Sequence, residues 1–136
     1  MAIAKSAITQ QQYEKILQFE EGHFLDFKST EITPGKLSRH ISAFANADGG
    51  DLYIGINEVD STFFEWNGFG NQENANGHIQ IFEKLFPLSQ DFSYNFLQAP
   101  NAPGLVLLIN ISKTRDIKIA SDGKPYIRRG AQSLVV

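Results

Sequence analysis

Residues 41–58 limit the folds open to this chain more than any other segment. They begin within a helical pattern, because Ile41 and Phe44 recur three positions apart on one helical face. Gly49 and Gly50 then end the helix, since glycine accepts the left-handed backbone at which many helices stop. The residues after them alternate between apolar and other side chains, as in a strand with one buried face. A helix that leads at once into a buried strand predicts a domain of the α/β (α+β) class.

The remaining apolar periodicity predicts about three helices packed on one mixed β-sheet. Helices are expected from a capping box at Thr9 to about residue 19, from Thr33 to residue 46, and over residues 75–86. Strands are expected over residues 24–28, 51–57, 63–66, 92–96, 105–111, 117–120 and 126–128. The strand of residues 105–111 is the most apolar, and we therefore place it at the centre of the sheet.

Two glycine-containing stretches lead to more detailed expectations. The apolar positions of residues 51–57 should share one buried face: Leu52, Ile54 and Ile56. Gly55, in the same stretch, should mark a close approach by another backbone or by a ligand. Asp122 and Gly123 separate the last two predicted strands and are typical of a hairpin turn.

Composition narrows the class of protein. With 136 residues, 42% of them hydrophobic, the chain suits a single compact domain over residues 1–136, which we interpret as the N-terminal part of a longer protein. It contains no Cys, which excludes disulfides, thiolate zinc sites and cysteine nucleophiles and favours a cytoplasmic location. No apolar run approaches the roughly 20 residues of a membrane-spanning helix, so no membrane partner is expected.

The net charge argues against nucleic acid as a partner, whereas the local distribution of charge argues for it. The net charge of −3 disfavours a free-standing binder of phosphate backbones. Residues 113–129 are nevertheless basic, with six Lys and Arg residues against two Asp residues. Within them, Tyr126, Arg128 and Arg129 combine an aromatic ring with two cations, which suits phosphates or stacked bases. The alternative is a strand end in which one Arg pairs with an acid.

Carboxylates near two strand ends form the other candidate site. Glu21 precedes the first predicted strand, Asp26 lies within it, and Glu58 follows the glycine-fed strand. Grouped carboxylates bind hard cations such as Mg²⁺ or Mn²⁺, which can activate water. Four acids in this region, with Glu20, are close to background, so exposed strand-end acids are the simpler interpretation. Asp26 differs, because an acid among apolar neighbours requires a partner such as Lys28 or a metal.

Two other kinds of site are disfavoured. The turn at Gly49 and Gly50 follows a helix, and the C-terminal end of a helix dipole repels anions. A P-loop motif is also absent from the sequence, which argues against ATP hydrolysis. None of the three histidines has zinc-ligand spacing with another: His23, His40 and His78.

Several short motifs together resemble the Schlafen AlbA-like domain, a nucleic-acid-binding module formerly labelled a divergent AAA domain. The motifs are Glu21, residues 26–28 (Asp-Phe-Lys), residues 42–46 (Ser-Ala-Phe-Ala-Asn), Gly49 with Gly50, residues 52–55 (Leu-Tyr-Ile-Gly) and residues 126–130 (Tyr-Ile-Arg-Arg-Gly). Their order and spacing agree over about residues 14–133. The run of residues 42–46 followed by the glycine pair is the most specific part.

The resemblance implies a compact α/β fold with a mixed sheet and a nucleic-acid partner. In Schlafen members that cleave RNA, three carboxylates hold a divalent metal, and the matching positions here are Glu21, Asp26 and Glu58. Lys28 matches the lysine beside the second acid and would stabilise phosphate charge. The second position is usually Glu and the third commonly Asp, so two side-chain lengths depart from the pattern. Nucleic-acid contacts are expected at Lys28, Lys124, Tyr126, Arg128 and Arg129.

The function implied in this way is a divalent-metal endoribonuclease acting on structured RNA such as tRNA, with Mg²⁺ or Mn²⁺ as cofactor. Two fused lobes clamp RNA in the family, so a single lobe implies a homodimer or a further fused domain. One alternative is a non-catalytic DNA- or RNA-binding module of a transcriptional regulator, and another is a nucleotide-binding or protein-interaction domain. The surroundings of Asp26 discriminate, because the acids would be structural if Asp26 pairs with Lys28 or an Arg and no cavity exists beside it. Binding would then survive EDTA and weaken with salt.

Overall fold

The computed structural model describes residues 3–136 and has the predicted α+β class, with mixed strands and three helices. The helices are α1 (Gln10–Leu17), α2 (Pro34–Asn46) and α3 (Asn76–Leu85), and a 3₁₀ turn at Gln72–Ala75 precedes the last. The strands are β1 (Ala4–Ala7), β2 (Leu25–Lys28), β3 (Gly50–Ile54), β4 (Ile56–Asp60), β5 (Phe63–Trp66), β6 (Phe92–Gln98), β7 (Leu105–Ile111), β8 (Tyr126–Arg129) and β9 (Gln132–Val135).

Five strands form the main sheet in the order β1-β6-β7-β3-β2. Strand β7 is central, as its apolar sequence predicts, and it pairs antiparallel with β6 and with β3. Strand β2 lies parallel to β3 at one edge, with Asp26 opposite Leu52, and β1 lies parallel to β6 at the other edge. The ribbons β4–β5 and β8–β9 lie outside this sheet. Within residues 3–136, no helix is long and apolar enough to cross a membrane.

Each face of the main sheet buries its own hydrophobic core. One face packs against α2 and α3 and includes Phe44 of α2. The other face packs against α1 and the β4–β5 ribbon, through Ile16 and Trp66. Along β7, Leu107 belongs to the first core and Val106 to the second, because successive strand side chains point to opposite faces.

The starts of α1 and α2 are confirmed where the sequence places them. The Thr9 hydroxyl accepts a hydrogen bond from the Gln12 backbone N–H at 3.1 Å, and the Gln12 side-chain oxygen accepts one from the Thr9 backbone N–H at 2.9 Å, which completes a capping box. Thr33 accepts a hydrogen bond from the Lys36 backbone N–H at 3.2 Å and caps α2. Helix α1 ends at Leu17, slightly earlier than expected.

The strand expected over residues 51–57 is broken at Gly55 into β3 and β4. Gly55 has φ of +117°, which residues with side chains rarely adopt, and a Cβ there would lie 2.9 Å from the Cα of Gly68. The predicted close approach of another backbone is therefore confirmed. Ile54 enters the core under α2, whereas Ile56 enters the core of the β4–β5 ribbon. The expectation of one shared face was wrong at Ile56.

Strand β8 pairs with a different strand from the one that the sequence predicts. Asp122 and Gly123 form a turn, but only an isolated bridge, between Ile119 and Pro125, links the segments on either side of it. Strand β8 pairs instead with β9, around a turn at Gly130. The reason is that two side chains of α2 occupy both backbone groups of Lys118, so this residue is not free to extend a ladder with β8.

Candidate functional site

A buried polar cluster joins β2, α2 and the β8–β9 ribbon. We call it the Arg128 cluster and define it by six residues: Glu21, Asp26, Lys28, His40, Arg128 and Ser133. Glu21 precedes β2, which carries Asp26 and Lys28, while α2 carries His40 and the ribbon carries the remaining two. The cluster therefore contains four of the residues to which the sequence assigns a role, and it brings together segments from both ends of the chain.

Two polar side chains of α2 hold the ribbon in place. The Ser42 hydroxyl donates to the Lys118 carbonyl at 2.8 Å and accepts from the Tyr126 backbone N–H at 3.1 Å. The Asn46 amide donates to the carbonyls of Lys118 and Tyr126, both at 2.8 Å, and accepts from the Lys118 N–H at 2.7 Å. These bonds satisfy backbone groups that would otherwise be buried unpaired. The polar positions of the Ser-Ala-Phe-Ala-Asn motif thus act as a template for β8.

Arg128 is the centre of the cluster and is almost fully buried, with 1% of its surface exposed. Its Nη1 donates to Asp26 Oδ2 at 2.9 Å, and its Nε and Nη2 donate to the Gly22 carbonyl at 3.1 and 2.8 Å. A further hydrogen bond from Nη1 reaches the Ser133 hydroxyl at 3.1 Å. The guanidinium also lies 4.6 Å from the centroid of the Phe44 ring, a cation–π contact with α2. Every face of this cation is therefore engaged within the protein.

Asp26 is 3% exposed and takes two positive partners, because Lys28 Nζ lies 3.5 Å from the same Oδ2 that Arg128 contacts. Burial alone would raise the pKa of Asp26. The hydrogen bond from the Glu21 carboxyl and the charges of Lys28 and Arg128 outweigh burial and lower that pKa below its ordinary range. Asp26 is accordingly an ionised carboxylate whose charge is neutralised inside the fold.

Glu21 behaves in the opposite way. Burial and the hydrogen bond with Asp26 raise the pKa of Glu21 to about 7, although its other interaction, with the Phe27 backbone N–H at 3.1 Å, lowers it. Two adjacent carboxyl groups cannot both ionise at low cost, so the pair holds one proton, on Glu21. Near neutral pH the proton is about half released, which makes Glu21 the titrating member of the cluster.

His40 completes the cluster from α2. Its Nδ1 lies 2.8 Å from the Ser133 hydroxyl, which also accepts from Arg128. Burial, together with the charge of Lys28, lowers the pKa of His40 to about 4. His40 is therefore neutral at physiological pH and adds no charge beside Arg128.

Glu58 lies apart from Asp26. It is exposed on β4, and it lines an open cleft of about 500 Å³ together with Glu21, Phe19 and Thr62. Asp26 does not line this cleft. The structure thus brings two of the three predicted acids to one cleft, whereas the third is not part of its lining and pairs with Arg128.

A divalent metal held by Glu21, Asp26 and Glu58 does not fit this arrangement. A hard cation requires several carboxylate oxygens converging on one point, and Asp26 presents its oxygen to Arg128 and Lys28 instead. Over the described part of the chain, no three His, Asp or Glu side chains are grouped so that they could hold a metal ion. The chemistry available to the cluster is therefore charge neutralisation and proton exchange at Glu21.

The residues predicted to contact nucleic acid divide into exposed and internal ones. Lys124 and Arg129 are exposed, while Lys28 is partly exposed beside Asp26. Tyr126 is largely buried, with its hydroxyl 2.6 Å from Asp122 Oδ2. The surface contact expected of Arg128 was wrong, because Asp26 and the Gly22 carbonyl pull its guanidinium into the interior. The alternative stated for this strand end, an Arg paired with an acid, describes it correctly.

Comparison with known proteins identifies a family for this chain and a solved structure with a similar fold. The family model described as Schlafen, AlbA_2 matches residues 21–136. The crystal structure of the DIP2311 protein from Corynebacterium diphtheriae is similar to this chain, with a TM-score of 0.61 and 17% identity over 84% of the chain. The chain spans 25% of that protein, and at this identity the likeness shows the fold alone. No protein with a curated description matches.

Proposed function

Because the chain belongs to the Schlafen AlbA_2 family, which supports a nucleic-acid-related role, we propose that it is a nucleic-acid-binding module whose carboxylates are structural. The observation that carries this proposal is the pairing of Asp26 with Arg128, both of them buried. Such a module would bind DNA or RNA within a larger regulator and would not depend on a divalent metal.

To act as a metal ligand, Asp26 would have to give up a buried ion pair. Its Oδ2 would have to leave Arg128, and that separation would leave a buried guanidinium without its counter-charge. Removing one partner of a buried ion pair costs about 3–5 kcal/mol. Metal binding would have to supply this free energy before it yielded any affinity, which favours the structural role.

The binding surface in this proposal consists of exposed cations on a chain with a net charge of −3. Lys124 and Arg129 are such cations near the C-terminal ribbon. When cations replace the counterions condensed on a phosphate backbone, log K falls linearly with log salt concentration. The module should therefore bind weakly at high salt, and EDTA should have no effect.

We would measure this with fluorescence anisotropy, using a labelled DNA duplex and a labelled tRNA over a range of NaCl concentrations. Each titration would be run with EDTA and with Mn²⁺ at matched ionic strength. Equal affinity in both, together with a decline in affinity as salt rises, is the expected result. An affinity that requires Mn²⁺, or one that does not change with salt, would contradict the proposal.

A second candidate function is the divalent-metal endoribonuclease, and the observation in its favour is that Glu21 and Glu58 line one cleft. The test is incubation of tRNA with Mn²⁺ and either the protein or its Glu58→Gln variant. Glu58 is exposed, so this substitution should leave the fold intact, and the matched control is Glu65→Gln on the neighbouring strand. If the unaltered protein and the Glu65→Gln control cleave tRNA and the Glu58→Gln variant does not, the endoribonuclease is favoured over the non-catalytic module. Absence of cleavage by the unaltered protein would remove it.

A further inference from the structure

A second concentration of charge lies outside the Arg128 cluster, in the loop that follows β7. Three of the chain's 12 Lys and Arg residues occur there within six positions: Lys113, Arg115 and Lys118. All three line one cleft of about 310 Å³, which we call the basic cleft. Its other lining residues are Gln90, Asp91, Thr114 and Asp116.

The three cations of the basic cleft form no ion pair with a carboxylate of the described residues. Elsewhere in the chain, Lys28 and Arg128 pair with Asp26, and Arg39 pairs with Asp122 at 3.5 Å. For the three cations of the cleft, by contrast, no carboxylate among residues 3–136 lies within 4.0 Å of a charged nitrogen. Their charge is therefore available to a ligand.

The loop that presents these cations is held firmly against the end of α2. The Thr114 backbone N–H donates to the Ala45 carbonyl at 3.0 Å, and the Thr114 hydroxyl lies 2.8 Å from the Asp116 carbonyl. The backbone of Lys118 bonds to both ends of the Asn46 side-chain amide, at 2.7 and 2.8 Å. A loop fixed in this way loses little conformational entropy when its side chains engage a ligand.

The charge balance of the cleft selects an anion. Three cations face two carboxylates, Asp91 and Asp116, so the lining is net positive on a chain that is net negative. Arg115 offers a planar fork suited to two oxygens of one phosphate, and the two lysines add point charges to the same lining. The two carboxylates reduce the net positive charge of the lining, which disfavours a highly charged polyphosphate.

We propose that the basic cleft binds one phosphate group of a nucleic-acid backbone, an inference that rests on the function proposed above and locates one of its contacts. Removal of the three charges should weaken oligonucleotide binding by about tenfold or more, as expected for the loss of charge-assisted hydrogen bonds. The slope of log K against log salt should become less steep by about 0.9 for a DNA duplex if one phosphate contact is lost.

The test compares two triple variants by fluorescence anisotropy with a labelled DNA duplex and labelled poly(U) RNA. The cleft variant is Lys113→Gln/Arg115→Gln/Lys118→Gln. The matched control is Lys5→Gln/Lys15→Gln/Lys84→Gln, which removes three exposed charges from elsewhere on the chain. Circular dichroism and the urea midpoint confirm that both variants are folded.

Weakened binding by the cleft variant but not by the control supports the inference. Equal affinity of both variants would overturn it while leaving the proposed function intact. If the unaltered protein binds neither oligonucleotide, both fail together. Amide NMR spectra separate the two sources of phosphate, because the signals of Thr114 and Arg115 should shift on addition of the oligonucleotide. Shifts with inorganic phosphate alone, and none with the oligonucleotide, would also overturn the inference.

Discussion

Replacement of Arg128 by Met should destabilise the protein by about 4 kcal/mol. Loss of one partner from a buried ion pair costs about 3–5 kcal/mol, and the Gly22 carbonyl also loses both of its donors from the guanidinium. Lys28, at 3.5 Å from Asp26, retains part of the counter-charge and keeps the loss below the upper end of that range. Met fills much of the same volume, so the effect reports the lost charge rather than a cavity.

The assay is urea unfolding at neutral pH, followed by circular dichroism. With a denaturant slope of about 2 kcal/mol per molar urea, the expected loss lowers the midpoint by about 2 M. The control is Arg129→Met, which changes the adjacent but exposed Arg and should shift stability by no more than about 0.5 kcal/mol. If the two variants have the same midpoint, Arg128 does not hold the ribbon to β2 and the structural role assigned to Asp26 is wrong.

Two further perturbations test other parts of the structure. Glu21→Gln imitates the protonated carboxyl of Glu21, which forms the hydrogen bond with Asp26. The pKa of Glu21 is raised to about 7 from an ordinary 4.5. The stability contributed by the protonated carboxyl is therefore complete below pH 4.5 and is lost as pH rises through 7. The variant should therefore gain stability relative to the unaltered protein between about pH 5 and pH 8 in urea midpoints, and a constant difference would show that Glu21 is not the titrating group. Gly55→Ala should cost at least about 2 kcal/mol, since φ of +117° and the Gly68 backbone leave no room for a side chain, whereas Gly22→Ala meets nothing within 4 Å and serves as control. Equal melting temperatures for the two glycine variants would contradict that argument.

The helices and the central strand could be predicted from the sequence because their signals are local. Thr33 followed by Pro34 begins α2, and regular apolar spacing continues the helix to the glycine pair. The apolar run of β7 suffices to place it at the centre of the sheet, where both faces are covered. Such features depend on neighbours only a few positions away.

Strand β1 could not be predicted in this way. Its sequence, Ala-Lys-Ser-Ala, contains no β-branched or aromatic residue, and such residues carry most of the propensity for strands. It forms because the edge of β6 offers backbone partners over residues 95–98. When a strand is stabilised mainly by hydrogen bonds to its neighbour, its own residues need not have a high strand propensity, and the sequence alone does not predict it.

The sequence indicates the candidate site in outline and leaves two roles open for its cation, a nucleic-acid contact or an ion pair with an acid. The sequence indicates that Asp26 requires a partner, and the structure supplies Arg128 from 102 positions away. Nothing local distinguishes Arg128, which is buried, from Arg129, which is exposed, because both follow the same aromatic and apolar residues. Strand alternation separates the two faces, but only the tertiary fold decides which face is interior.

The distance along the chain between Asp26 and Arg128 also constrains how the protein is made. During synthesis, Asp26 emerges about 100 residues before Arg128, so the nascent domain lacks the buried partner of this carboxylate until β8 has left the ribosome. The side chains of Ser42 and Asn46 in α2 likewise lack their hydrogen bonds to the Tyr126 backbone until that residue has been synthesised. A chain interrupted before β8 would retain these unsatisfied groups, and proteolytic quality control could distinguish it from the finished domain.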